Sequence, residues 1–198
     1  MTRLIQTALL ILLLILTQSS CVLRPFTEKT AADPKPVAPL KGYGTLAKVP
    51  FREAWYGMYF QEDKVGYSHF KIQPSGPNFK ISSDSVMRLT ALKKTNEITM
   101  KEKLMVRPDL TLISFESIVR MNGKDLRMNG RVEGSRFNVD LAVDGEKINR
   151  QYPVKGPIYH SSAISLMPAI KGLDEGRTYS FPVFNPEKQG VEKVEQQV

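Results

Sequence analysis

The chain has one cysteine, two histidines and one tryptophan in 198 residues. A single thiol closes no internal disulfide, so the fold has to hold without one. His69 and His160 lie far apart and never show the paired spacing of a histidine metal site, so neither metal nor cofactor is expected. The longest uninterrupted apolar stretch, Ala8–Leu16, falls short of the roughly 20 residues that cross a bilayer as a helix. Blocks of one charge are also lacking. Lys and Arg number 28 against 20 Asp and Glu, a formal charge of +8, but they are spread along the chain. That spread reads as a solvated surface, with attraction to anionic headgroups or envelope polymers as the alternative. Export and the lack of a recognition motif exclude nucleic acid as an expected partner.

The N-terminus carries its own logic. Arg3 supplies a positive charge, Leu4–Leu16 form an apolar run broken only by Gln6 and Thr7, and Thr17-Gln18-Ser19-Ser20 closes it. That is the pattern of a secretory signal. Cys21 stands directly after two small serines, and the segment resembles a bacterial lipoprotein signal peptide, although Gln18 occupies the position where that family prefers Leu. The resemblance implies a signal over residues 1–20 and acylation of Cys21, which would bind the chain to membrane lipid. The alternative is a cleaved signal with an incidental thiol. Val22 resembles the sorting pattern for the outer membrane, so the expected location is its periplasmic face, with inner membrane or soluble periplasm as alternatives.

Beyond Cys21 the sequence falls into two parts. Residues 21–51 carry Pro25, Pro34, Pro36, Pro39 and Pro50 with Gly42 and Gly44 and show no sustained apolar period, which predicts a tether. Residues 52–198 are enough for one domain with a hydrophobic core. There the period becomes two: Leu126, Met128 and Val132 alternate with Arg127, Asn129 and Arg131, and Phe137, Val139, Leu141 and Val143 with Asn138 and Asp140. Asn122-Gly123 and Asp144-Gly145 suit two-residue hairpin turns, and Gly134-Ser135 a similar one. The pattern predicts strands near 54–60, 65–73, 79–91, 97–107, 110–121, 125–133, 136–143, 146–153 and 177–184. Val191, Val194 and Val198 suggest another. Ala163, Ile164, Met167 and Ile170 predict a helix over 162–170, capped by Ser161 or Ser162, limited by Pro168 and ended by Gly172. The expected fold is mainly β: a strongly curved antiparallel meander or partial barrel with one short helix.

Trp55-Tyr56-Gly57-Met58-Tyr59 followed by Lys64-Val65-Gly66-Tyr67-Ser68-His69 is a more specific signature. With Ile81–Met87, Gly130–Gly134 and Gly176–Phe184, it resembles the N-terminal β domain of bacterial exported transglutaminase-like proteins. The likeness spans nearly all of residues 54–190. In that family a papain-like domain with Cys, His and Asp follows and carries the acyl-transfer or peptide-cleaving chemistry. Here Cys21 belongs to the signal and no second thiol exists, so no catalytic residue carries over. A β domain truncated at Val198, or a stand-alone module whose partner is encoded elsewhere, is the expectation.

Several residues call for a reading of their own. Glu102 shares strand parity with Met100 and Leu104, so its carboxylate should point inward and need a partner, with Arg88 or Lys64 as candidates. Asp84 is a second carboxylate, and His69 reads as a packed or rim residue. Ser161 and Ser162 beside His160 read as helix caps rather than a nucleophile and base. Trp55, Tyr56, Tyr59, Phe60, Tyr67 and Phe70 occupy both parities of the first hairpin, which predicts a sheet covered on both faces, with an exposed binding surface as the alternative. The functional expectation is a non-catalytic, membrane-anchored accessory module for an envelope protein or a separately encoded transglutaminase-like domain. A lipid or lipoprotein carrier of the localisation-factor type is the first alternative, and the N-terminal part of a split enzyme the second.

Overall fold

A computed structural model of the chain describes residues 40–60, 62–91, 94–174, 176–186 and 188–197. The signal, Cys21 and the tether up to residue 39 lie outside the described residues. The architecture is mainly β, as the alternation predicts, and its main sheet is an eight-stranded antiparallel meander that curls without closing. Its strands follow chain order: β2 (Glu53–Phe60), β3 (Asp63–Ser75), β4 (Asn78–Ala91), β5 (Lys94–Val106), β6 (Leu112–Met121), β7 (Lys124–Glu133), β8 (Arg136–Val143) and β9 (Glu146–Pro153). Asn122, Gly123, Asp144 and Gly145 all adopt positive φ, at 53°, 80°, 48° and 88°, as a twisted two-residue hairpin turn requires.

A small sheet joins β10 (Tyr159–His160), β12 (Thr178–Asn185) and β13 (Gly190–Gln197), with β10 parallel to β12 and β13 antiparallel to it. The strand suggested by Val191 and Val194 is therefore present, and Val198 lies outside the described residues. Between β10 and β12 run α1 (Ser161–Ile164), α2 (Met167–Lys171) and β11 (Gly172–Leu173).

Two expectations are corrected here. The single helix over 162–170 is two short ones, because Pro168 has no N–H to continue a ladder from the first turn. It sits instead in the first turn of α2, where a missing donor leaves nothing unsatisfied. The cap of α1 is His160, whose ring accepts from Ser162 N–H, in place of Ser161 or Ser162. Gly172, at φ 85°, ends α2 as expected.

The second correction concerns the tether, which does not extend over residues 40–50. β1 (Leu40–Lys41) pairs with β11, and Leu46 and Val49 enter the core at 0% and 2% exposure. A single turn of 3-10 helix at Leu46–Lys48 is held by the Arg52 guanidinium, which donates to the carbonyls of Leu46, Ala47 and Val49 at 2.8–3.0 Å. Leu46 N–H donates to Pro108 C=O at 2.9 Å, so this stretch is fastened to the β5–β6 turn.

The core lies on the concave face of the large sheet. Ile72, Ile81, Leu104, Phe115, Phe137 and Val139 face Leu46, Leu110, Ile158, Ala163, Leu166 and Phe184 in one buried cluster. Burying side chains of this size contributes about 1.5–3 kcal/mol each.

Candidate functional site

Because side chains alternate strictly along each strand, the strand register sorts the concave face into rows. The lowest row that crosses from β3 to β8 unbroken runs Ile72, Ile81, Leu104, Phe115, Gly130, Val139, and it belongs to the filled core together with Phe79, Val106 and Leu112 below it. Gly130 is what lets two rings meet there: a Cβ would stand 2.1 Å from Phe115 Cε1 and 2.9 Å from Phe137 Cζ.

The next row up is polar in its middle: Phe70, Ser83, Glu102, Ser117, Met128, Leu141. Glu102 is 4% exposed and points inward, as its parity predicts. Its carboxylate accepts a hydrogen bond that the sequence did not point to. Arg88 is held by Glu97 at 2.7 Å, whereas Ser162 Oγ at the start of α1 donates to the Glu102 carboxylate. Ser117, directly across the strand pair from Glu102, is 2% exposed, and its hydroxyl has no hydrogen-bond partner among the described residues.

The third row, Tyr56, Ser68, Ser85, Met100, Val119, Leu126 and Val143, begins polar, with Ser85 Oγ donating to Ser68 Oγ at 2.8 Å, and turns apolar. The fourth, Met58, Gly66, Met87, Ile98 and Met121, is almost wholly apolar. In these two upper rows Met58, Met87, Ile98, Met100, Val119, Met121, Leu126 and Val143 remain partly exposed. The concave face is thus a packed lower half and an open, methionine-rich upper half, divided by a serine and carboxylate belt.

His160, Ser162 and Glu102 meet below that belt, but not in the order that nucleophilic catalysis needs. The His160 ring accepts from the backbone N–H of Ser162 at 3.3 Å, and the Ser162 hydroxyl donates its hydrogen bond to the carboxylate instead of the imidazole. His160 is fully buried, its ring 4.8 Å from that of Phe115, and its Nε2 has no hydrogen-bond partner among the described residues. Burial pushes its pKa down to about 3, so the ring is neutral. With Nδ1 accepting, the proton sits on Nε2, against aromatic carbon.

The other sequence-derived candidates lie on the convex side or the rim. His69 Nε2 meets Glu53 Oε1 at 2.7 Å and its ring stacks on Trp55 at 4.1 Å, a rim position as expected. Asp84 is exposed, opposite His69 in register. The first hairpin corrects the expectation of two covered faces: Phe70 is buried, but Trp55, Tyr56, Tyr59, Phe60 and Tyr67 are 65%, 54%, 66%, 56% and 41% exposed. Among the described residues β2 is an edge strand, with no strand beside it on one side.

Among the described residues no group of three or more His, Cys, Asp or Glu is placed to hold a metal, and no helix is long and apolar enough to cross a membrane. A cavity of about 270 Å³ lies apart from the concave face, lined by Met167, Pro168, Lys171, Tyr179, Phe181 and Gln196. It falls below the usual size of ligand sites. Compared with protein families, curated proteins and solved structures, the chain matches none.

Proposed function

We propose that this chain is a non-catalytic, membrane-anchored module of the bacterial envelope that binds an apolar chain, lipid or acyl, on the open half of its concave face. The observation that carries this reading is the pair of upper rows, where eight apolar side chains, four of them Met, stay partly exposed on the inside of a curved sheet. A surface of that kind is a poor neighbour for water, and methionines adapt to an irregular apolar occupant. The belt beneath it gives such an occupant an end: the partly exposed Ser68 and Ser83 are placed to meet an ester or headgroup while the tail covers the methionines. The resemblance of residues 1–21 to a lipoprotein signal, and of residues 54–190 to the first domain of exported transglutaminase-like proteins, supports the envelope setting.

The test is binding of a fluorescent fatty acid to the Cys21→Ala chain, free of any acyl group of its own. Binding should be saturable, and Met87→Asp should weaken it by about tenfold or more, since an ion placed in an apolar site has to be desolvated. Absent binding, or equal binding by Met87→Asp with an unchanged circular dichroism spectrum, would sink the proposal.

A second reading, an accessory module that positions a partner protein, is favoured by the exposed aromatic side chains of the first hairpin. Surface aromatics of this kind are enriched where proteins meet.

A further inference from the structure

Among the described residues the large sheet ends in two edge strands, β2 and β9, and the two are finished differently. β9 carries Glu146, Lys147 and Arg150, and the free strand of the small sheet, β13, carries Glu192, Lys193 and Glu195. Charges of this kind are how sheet proteins keep edges from pairing. β2 has one charge, Glu53, at its start, and then runs Ala-Trp-Tyr-Gly-Met-Tyr-Phe.

The free side of β2 can be assigned residue by residue. Ile72 N–H donates to Arg52 C=O at 2.6 Å, so Arg52 and Ile72 face one another as a hydrogen-bonded pair. Antiparallel ladders alternate, and the register from Glu53 to Met58 is unbroken, so the even-numbered residues of β2 bond to β3. The backbone groups of Trp55 and Gly57 therefore point away from the sheet, and Tyr59 follows them past a one-residue slip of β3 between Gly66 and Lys64.

We infer that β2 is a pairing edge and that its partner is the β2 of a second copy, antiparallel about a two-fold axis at Gly57. This register uses the outward-pointing residues: Gly57 meets itself, and Trp55 meets Tyr59 of the other copy, twice. On the concave side Tyr56 meets Met58 of the other copy, a sulfur–aromatic contact. Gly57 suits the centre. The Tyr59 ring lies over it, 2.7 Å from where a Cβ would stand. Trp55, Tyr56, Tyr59 and Phe60 at their observed exposures offer roughly 500 Å² per copy. Even with all of it covered, two copies would bury about 1,000 Å², below the roughly 1,200 Å² at which stable interfaces begin, so the dimer is weak and forms reversibly.

Oxidative cross-linking of the full-length chain tests this, with the wild type as the control for Cys21. Residues directly opposite in a hydrogen-bonded antiparallel pair have Cα atoms about 5.5 Å apart, within disulfide range. Gly57→Cys needs only the end of the Tyr59 ring to swing, and it should give at least about fivefold more disulfide-linked dimer than Ile148→Cys on the opposite edge. Adding Tyr59→Asp removes the ring and sets a carboxylate against the electron-rich face of each Trp55, and should return Gly57→Cys to the Ile148→Cys level. Sedimentation of the otherwise wild-type chain should show a concentration-dependent dimer that Tyr59→Asp removes. Equal cross-linking at both edges, cross-linking that survives Tyr59→Asp, or a chain monomeric at all concentrations would overturn the inference. The same holds if the Gly57→Cys thiol is shielded by lipid vesicles instead of by a second copy.

Discussion

Ser162 and Glu102 stand sixty residues apart in the chain and share one hydrogen bond, which fixes the first turn of α1 to the middle of β5. A carboxylate 4% exposed needs donors, because burying its charge without them is expensive. The serine hydroxyl supplies one, and in doing so it places α1 over the lower half of the concave face and leaves the upper half open. Ser162→Ala should lower stability by about 1–3 kcal/mol, the usual effect of removing a donor from a buried acceptor. In a Glu102→Gln background the same substitution should cost about half as much or less, since a hydrogen bond to a neutral amide is weaker. Chemical denaturation of the four proteins gives the coupling, and equal effects of Ser162→Ala in both backgrounds would show that the contact is not what holds α1.

Gly130 makes a sharper prediction. Its Cβ would overlap Phe115 and crowd Phe137, and both rings are buried at 2% exposure or less with nowhere to move. Gly130→Ala should therefore destabilise by about 1–3 kcal/mol by overpacking, against the ordinary gain of replacing a strand glycine. Phe115→Leu introduced with it should recover part of the loss, giving a clear departure from additivity. Thermal unfolding of the three variants measures this, and strict additivity would mean that the rings do not set the limit.

Much of this architecture was legible in the sequence, because a period of two is a local property. The alternation around Leu126, Met128, Phe137 and Val139 placed them inward, and Asn122-Gly123 and Asp144-Gly145 placed the turns. Glu102 was legible as an inward carboxylate for the same reason, and Ser117 could have been found by its parity with Phe115 and Val119. The partner of Glu102 was not legible, since a contact across sixty residues leaves no local trace. Nor was the packing of residues 40–50, where Leu46 and Val49 are too few among prolines and glycines to form a period. The aromatic hairpin misled for a physical reason: an edge strand and a doubly covered strand both carry large side chains on both parities, and only the sheet order separates them.

Cys21 carries the proposal of membrane anchoring. Acylation there is proposed from a thiol placed directly after Ser19 and Ser20 at the end of an apolar run. Cells fed radiolabelled palmitate should label the wild-type chain and leave Cys21→Ala unlabelled, and the labelled chain should fractionate with the outer membrane. Equal labelling of both proteins would remove the anchor from the proposed function. Recovery in the inner membrane would instead contradict the sorting read from Val22.

His160 gives the fold a pH dependence whose sign follows from its burial. The ring caps α1 through an accepting Nδ1 and packs on Phe115, with its pKa lowered from the ordinary 6.5 to about 3 by desolvation. In the unfolded chain it takes up a proton near pH 6.5, whereas in the folded chain it stays neutral. Its contribution is thus fully present above pH 6.5 and is lost as pH falls through the window from 6.5 towards 3, by about 1.4 kcal/mol per pH unit. The carboxylates that the fold favours as anions act lower down. Asp125 is held down chiefly by the hydrogen bond from Arg120, Glu192 by Lys188 and Glu195 by Lys193, and the help they give is lost only as pH falls below their unfolded values near 4. Between pH 6.5 and 5, then, His160 should account for a fall of about 2 kcal/mol in unfolding free energy. His160→Asn keeps a capping acceptor but does not titrate, so it should start less stable, with space left beside Phe115, and be flatter across the same window. Urea denaturation of both proteins at pH 6.5 and pH 5 measures the difference. Parallel losses in wild type and variant would show that the ring is hydrated or already charged in the folded protein.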